Sequence, residues 1–368
     1  MNTRMRRAAV AVIATTMAVS VAACGKAGDN KKSDSSSSAA GGSTAKIGLL
    51  LPDSVTTRYE KFDKPYFEAK VKELCSGCTV EYNNANASAA TQAQQVSSMI
   101  TKGVKVIVIS AQDSAAIKSS IQQAVDKGIK VVAYDRLAQG PVSAYISFDN
   151  EKVGELQGQS LLDALGAKAT PKAKVVMING LASDPNAGLF KKGAHSVLDG
   201  KVDIAYEQAG DWDDKVAAQK MSAAITQLGA KNIAGVYSAN DDMAGGIATV
   251  LKGAGISTVP LTGQDAELSS IQRILAGTQA STIYKAYKPE ADGAAELAVA
   301  LLEDKSIDSL ASTTQTSGSG DEVPSNLLTP VTLTKDNIED TVIKDKLYTV
   351  AEICAGEFAA ACKTAGLQ

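Results

Sequence analysis

The 368-residue chain has a single histidine and a single tryptophan, and aromatic residues make up only 4% of it. The lone His195 argues against zinc, which favours clusters of histidine and cysteine. Any Ser-His catalysis would hang on the same residue, whose neighbours KKGAHSVLDG read as an exposed helix end. No G-x-S-x-G elbow, Walker loop or H-E-x-x-H pair is present, so the reactions those motifs support have no footing. Gly253-Ala254-Gly255 is a helix stop rather than a dinucleotide loop, since no third glycine follows in register. Basic residues number 37 against 40 acidic ones, with no basic cluster, which excludes nucleic acid as a partner. An enzyme is not expected, nor is a cofactor or a metal.

What is present starts with an address. Met1–Arg7 holds Arg4, Arg6 and Arg7 with no acid, and Ala8–Ala23 continues as AAVAVIATTMAVSVAA. This stretch is too short and too interrupted by Ser and Thr to span a membrane, and reads as an export signal covering residues 1–23. It ends in Val21-Ala22-Ala23-Cys24-Gly25, which resembles the lipobox of bacterial lipoproteins. That resemblance implies cleavage before Cys24 and acylation of its sulfur and new amino group. The alternative is ordinary secretory cleavage that leaves Cys24 as an exposed thiol, a liability outside the cell. More than one acyl chain would make the anchor stable. Residues 24–44 continue as a Ser/Gly-rich tether, which as flexible coil spans about 25 Å on average and about 65 Å when stretched. Without residues 1–23 the charge is 34 basic against 40 acidic groups, a mildly acidic globule. Its roughly 320 residues exceed one ordinary core, which predicts two domains.

The other four cysteines form two local pairs. In an exported protein Cys75 with Cys78, and Cys354 with Cys362, read as short-loop disulfides, each contributing about 2–3 kcal/mol. The alternative for Cys75-Ser-Gly-Cys78 is a redox centre, which ordinarily opens a helix. Here the motif follows a helical stretch, Tyr59–Leu74, and precedes a strand, Thr79–Tyr82.

From Lys46 onward short apolar runs alternate with helical stretches. The strand-like runs include Ile47–Leu51, Val104–Ile109, Ile129–Ala133, Lys174–Ile178, Ile233–Tyr237, Val259–Leu261 and Thr282–Tyr284. Helices are expected at Ala87–Lys102, Ser114–Lys127, Lys215–Leu228 and Ala266–Ala276, with Gly103, Gly128, Gly229 and Gly253 at helix stops. This alternation predicts βαβ units, mostly parallel sheets and helices on both faces. Val106–Arg136 and Ile233–Ala266 also echo one another: strand, acidic residue, Ala-rich helix, glycine stop, strand, then an aspartate. Two related lobes facing each other would bring Asp135 and Asp265 to one cleft, beyond the carboxyl ends of their strands.

Several stretches carry a family resemblance. GVKVIVI (103–109), AYDR (133–136), YISFDNEKVGELQG (145–158), SANDDMAGG (238–246), GQDAEL (263–268), RILAGTQASTIYK (273–285), EVPSNLLTPV (322–331) and DTVIKD (340–345) run through nearly the whole globule. In that order they resemble the sugar-binding class of periplasmic binding proteins of ABC importers, and the D-xylose-binding members in particular. Planar, two-pronged groups suit neighbouring sugar hydroxyls, since Asp accepts two bonds, Arg donates two and Asn does one of each. Asp135 and Arg136 form such a couple, although a surface turn with a local ion pair has the same sequence. The resemblance implies sugar contacts at Arg58, Asn186, Asn240, Asp265 and Lys285. It makes Trp212 a stacking platform, against the alternative of a surface aromatic in the polar GDWDD loop. Tyr59 stands where xylose-binding relatives place a tryptophan.

The expected architecture is therefore α/β: two Rossmann-like lobes with mostly parallel sheets, joined by a three-strand hinge. The first lobe is expected at 45–147 plus 287–321, the second at 148–286 plus 322–348, and a disulfide-bearing tail at 349–368. The hinge is placed near Phe148–Asn150, Lys285–Tyr287 and Glu322–Ser325. Such a molecule would act as a monomer, bind a monosaccharide between its lobes and deliver it to an ABC transporter permease. It would sit on the outer face of the cytoplasmic membrane or in the periplasm. Sugar sensing for a receptor kinase or chemoreceptor would use the same pocket. A secreted glycosidase using Asp135 and Asp265 is the remaining rival. A transcriptional regulator of this fold is not expected, because an export signal rather than a helix-turn-helix precedes Lys46.

Overall fold

A computed structural model describes residues Ala45–Leu367. The export signal, Cys24 and the tether lie outside the described residues. The first half of the chain builds β1 (Lys46–Leu51), α1 (Lys64–Leu74), β2 (Thr79–Asn84), α2 (Ala89–Lys102) and β3 (Val106–Ile109). It continues through α3 (Lys118–Asp126), β4 (Lys130–Tyr134) and β5 (Ala144–Phe148). Every residue of β3 and β5 is buried, as continuous apolar runs in a parallel sheet covered on both faces must be. A π-helical turn at Tyr59–Asp63 precedes α1 and carries residues of the site.

The chain then crosses to a second lobe. There it forms α4 (Asn150–Leu165), β6 (Lys174–Asn179), α5 (Pro185–Leu198), β7 (Asp203–Ala209) and α6 (Asp214–Leu228). Next come β8 (Ile233–Ser238), α7 (Asp241–Gly253), α8 (Leu268–Leu275) and β9 (Thr282–Tyr284). It returns through α9 (Tyr287–Leu302), which packs on β3, β4 and β5 of the first lobe, and adds β10 (Thr313–Thr316) and β11 (Glu322–Leu328). A third crossing leads to β12 (Val331–Leu333), α10 (Val350–Ile353) and α11 (Ala359–Thr364).

The first sheet has seven strands in the order β10-β11-β5-β4-β3-β1-β2, parallel except for the β10–β11 pair. In the second lobe β6 lies between β7 and β8, both parallel to it, and β9 pairs antiparallel with β12. Extended chain around Leu261–Asp265 joins these two pieces, with Thr262 N–H donating to Val236 O at 3.1 Å and Ile283 N–H to Gly263 O at 3.1 Å. The architecture is the two-lobed α/β arrangement the alternation predicts.

Three expectations need correction. Residues 322–328, placed in the second lobe from sequence, form β11 and pair with β5 of the first sheet, Ser325 opposite Tyr145. The third crossing therefore follows Leu328, whose carbonyl accepts from Asp149 N–H at 2.9 Å, and is not at Glu322–Ser325. The polar, proline-containing EVPSNLL does not read as an inner strand, yet it lies between β10 and β5, with Pro324 opposite Thr314 of the edge strand β10. Val259–Leu261 is not a strand but touches β8 at one bridge, Val236 to Leu261. The left-handed stop expected at Gly253 is at Gly255, φ +71°, while Gly253 closes α7.

Both cysteine pairs are bonded, Cys75 to Cys78 after α1 and Cys354 to Cys362 in the last segment. That last segment buries Ile353, Cys362 and Leu367 with Ile271 and Ile274 of α8, so it belongs to the second lobe. Helices α4 and α5 touch backbone to backbone: a Cβ on Gly154 would lie 2.0 Å from Phe190 O, and one on Gly193 2.0 Å from Glu151 O. This close packing sets Asn150, the first residue of α4, beside Asn186, the second of α5, with Asn150 Nδ2 donating to Asn186 Oδ1 at 3.0 Å.

Candidate ligand-binding site

A cleft taking in about 300 Å³ of space, part of it open to solvent, lies between the lobes. All nine residues singled out in the sequence line it: Arg58, Tyr59, Asp135, Arg136, Asn186, Trp212, Asn240, Asp265 and Lys285. Each follows the carboxyl end of a strand or extended run, the place where open α/β sheets hold ligands.

The two aspartates occupy matching frames. Both have positive φ, +59° at Asp135 and +98° at Asp265, which an ordinary side chain avoids unless its surroundings compel it. At Asp135 the compulsion is visible. Its N–H donates to Ile146 O at 2.9 Å, and its carbonyl accepts from Tyr145 Oη at 3.0 Å, Ser147 Oγ at 2.7 Å and Asn186 Nδ2 at 2.9 Å. Asp265 repeats the pattern: its N–H donates to Ile283 O at 2.9 Å and its carbonyl accepts from Tyr287 Oη. The carboxylates are thereby aimed before any ligand arrives.

Arg58 and Tyr59 hold the Asp135 carboxylate, with Nη1 at 3.1 Å from Oδ1 and the tyrosine hydroxyl at 2.9 Å from Oδ2. Burial pushes this carboxyl up, but Arg58, Lys285 and Arg136 together draw it below the usual range. Arg136 stands 2.8 Å from Asp184 through Nε and 3.7 Å from Asp53 through Nη2. Burial acts against the charge of both arginines, yet the facing carboxylates raise them, so each stays a cation. Across the cavity Lys285 Nζ sits 2.8 Å from Asp265 Oδ1, flanked by the rings of Phe148 and Phe190 at 5.9 and 5.7 Å.

Trp212 is buried, not a surface aromatic. Its indole N–H donates to Asp184 Oδ2 at 3.1 Å, and its ring meets Phe190 edge-to-face at 6.3 Å. A Cβ on Gly180 would lie 2.0 Å from the indole, so only glycine there admits this pose. Asn240 caps α7, its Oδ1 accepting from Met243 N–H at 3.0 Å, which leaves the amide nitrogen toward the cavity. Several buried polar atoms of the lining lack a protein hydrogen bond, among them Gln264 Oε1, Asp265 Oδ1 and Arg136 Nε, although the last two sit in ion pairs. Buried polar groups without partners are costly, so a ligand rich in hydroxyls would satisfy what the protein alone does not.

The periplasmic binding protein domain family matches residues 47–306. The chain belongs to that family. It is 39% identical over 316 residues to the D-xylose-binding periplasmic protein of Escherichia coli K12, covering 84% of this chain and 92% of that one. A multiple sugar-binding periplasmic receptor from Rhizobium radiobacter is 34% identical over 326 residues, covering 82% and 90%. Among solved structures, a carbohydrate transporter solute-binding protein from Chloroflexus aurantiacus in complex with D-glucose superposes with a TM-score of 0.76. It is 29% identical, with 84% and 98% of the two chains covered. The family is one of binding proteins, not enzymes, which removes the glycosidase rival.

Within this periplasmic binding protein, four lining residues had escaped the sequence reading: Thr56, Asp184, Phe190 and Gln264. Asp184 was within reach, since Ser-Asp-Pro-Asn places it before a proline at the start of α5. It caps that helix through Asn186 N–H at 2.9 Å while also receiving Arg136 and Trp212. Gln264 precedes Asp265 in GQDAEL, where its direction depends on the turn. Phe190 comes one turn of helix after Asn186, at the spacing that puts both on one face of α5.

Proposed function

We propose that this protein captures a monosaccharide, a xylose-like pentose or a related aldose, and passes it to the permease of an ABC importer. The observation that carries this reading is the cavity itself: two-pronged charged and amide groups from both lobes, beside the Trp212–Phe190 wall. Carboxylate, guanidinium and amide groups match a ring of hydroxyls, and an aromatic face matches the apolar face of a pyranose. The names of its relatives, D-xylose-binding and multiple sugar-binding, support the same class of ligand.

Capture follows from the geometry. A sugar bonded to Asp135 on one lobe and Asp265 on the other stabilises the closed arrangement, since only that arrangement offers both sets of partners at once. Each well-made bond contributes about 1 kcal/mol net, and about 1.5–3 kcal/mol where a charged group takes part. A sugar lacking one hydroxyl leaves a buried group unpaired and is rejected. Acylation of Cys24 would hold the protein at the outer face of the membrane, close to the permease.

A panel of D-xylose, L-arabinose, D-ribose, D-glucose and D-galactose, screened by thermal unfolding, tests the reading. A bound sugar raises the melting point by mass action. A flat response to every sugar at millimolar concentration sinks it. For the anchor, the wild-type protein is expected to partition into detergent and a Cys24→Ser variant into the aqueous phase.

A further inference from the structure

Behind the ligand cavity Arg58 faces three carboxylates. Asp63 takes it with two prongs, at 2.7 and 3.1 Å, Asp135 accepts at 3.1 Å and Glu290 of α9 at 2.5 Å. All four side chains are at least nine-tenths buried, and Glu290 is fully so. One guanidinium cannot neutralise three carboxylates, and such an excess inside a protein is relieved by a proton on one of them. The geometry picks which. Asp63 also accepts from Tyr134 Oη at 2.7 Å, and Asp135 also accepts from Tyr59 and lies near Arg136 and Lys285. Among the described residues Glu290 receives only Arg58, and its Oε1 has no partner.

We infer that Glu290, which lines no part of the cavity, is a positioning residue whose carboxyl takes up a proton as the lobes close on ligand. Sugar capture is thereby tied to proton uptake on the alkaline side of neutrality. The inference rests on the cleft being the sugar site. When a ligand replaces the water in the cleft, the cluster loses screening, and the neutral form of Glu290 gains over the charged one. By reciprocity the protonated protein then binds more tightly. Burial pushes Glu290 up to about 8 against the pull of Arg58, which puts the exchange on the alkaline side of neutral pH.

The charged and titratable groups around it are accounted for. Arg58 immediately precedes the π-helical turn and Asp63 ends it, Tyr134 and Asp135 come from the end of β4, Tyr145 from β5 and Lys285 from the link between β9 and α9. Strand β3 contributes no titratable group. On α1, Lys70 pairs with Glu73 and Glu296 at the outer surface, and on α9 itself Lys288 pairs with Asp292 while Tyr287 lies against Arg58. Burial raises Tyr134 and Tyr145 far enough to keep both silent in this range.

Calorimetric titration with D-xylose at pH 8, in two buffers of different ionisation heat, reads the proton directly; D-glucose replaces D-xylose if the latter gives no heat. The wild type is expected to take up a few tenths of a proton per sugar and to lose roughly three- to ten-fold in affinity from pH 7 to pH 9.5. Glu290→Gln is expected to show neither. No uptake by the wild type, or equal uptake by both proteins, overturns the inference.

A second readout needs no sugar. A carboxyl raised by folding makes the native state bind more protons than the unfolded chain, so its ionisation penalty grows from about pH 4.3 and is complete above about 8. Urea unfolding should therefore show Glu290→Gln gaining stability over the wild type as pH rises through that window. A constant difference overturns the assignment even if sugar binding itself fails, in which case the fault in the sugar reading is seen separately.

Discussion

The two aspartates at the heart of the cleft share a backbone frame but not an environment. Each has a positive φ, an N–H bonded to a neighbouring extended segment and a carbonyl capped by a tyrosine hydroxyl. Asp135, on the first lobe, is over-supplied: Arg58, Tyr59 and Arg136 converge on it, and Asp63, Glu290 and Asp184 in turn hold those arginines. Asp265, on the second lobe, has Lys285 alone as its cationic contact among the described residues. One lobe thus offers a rigid, pre-paid electrostatic surface, and the other offers one ion pair beside an aromatic wall. Related halves of a molecule can keep a shared geometry while dividing its tasks between charge and stacking.

The sharpest way to break this comparison is to truncate each aspartate in turn. Asp135→Ala and Asp265→Ala should each weaken sugar binding more than 100-fold, because two charge-assisted hydrogen bonds are lost. Their stabilities should part. Asp135→Ala leaves Arg58 with two carboxylates, whereas Asp265→Ala leaves Lys285 without its contact, so the second variant should be less stable by roughly 1–3 kcal/mol in urea unfolding. Equal losses would show that the first-lobe network is no better supported than the second. A step down in size, Trp212→Ala should cost about 10- to 100-fold in affinity by removing one wall of the cavity. Because Trp212 is the single tryptophan, wild-type emission should also change on titration with the bound sugar. Gln264→Leu, which deletes one unpartnered acceptor, should cost about 5- to 10-fold. The smallest effect on binding belongs to the Cys354–Cys362 bridge, which packs against α8 away from the cavity. Replacing both cysteines by serine should remove roughly 2–3 kcal/mol of stability and leave affinity unchanged.

Part of this site was legible from the residues themselves: AYDR and GQDAEL follow strand-like runs, and their echo pairs Asp135 with Asp265 across the cleft. Arg58, Asn186, Trp212, Asn240 and Lys285 came from the family resemblance, because loop residues have no periodicity to read. Harder to read were residues whose role depends on a turn. Gln264 lines the cleft in the turn where Asp265 takes a positive φ, and Asp184 reaches Arg136 and Trp212 from the N-cap of α5. Phe190 packs with the second-lobe core and also lines the cavity, a double role that no local sequence pattern marks. Strand β11 was assigned to the wrong lobe for a related reason. It lies second from the edge, between β10 and β5, and its exposed Glu322 and Pro324 and half-buried Asn326, Leu327 and Leu328 leave its sequence without a signature of which sheet it joins.

Three passages between the lobes have a practical corollary. Because three is odd, the described chain begins in the first lobe, at β1, and finishes in the second, at α11. The two ends ride on different rigid bodies. A fluorescent donor at one end and an acceptor at the other would therefore report the opening and shutting of the cleft as a change in energy transfer, with no probe near the pocket. An even number of passages would have put both labels on the same body and made the pair blind.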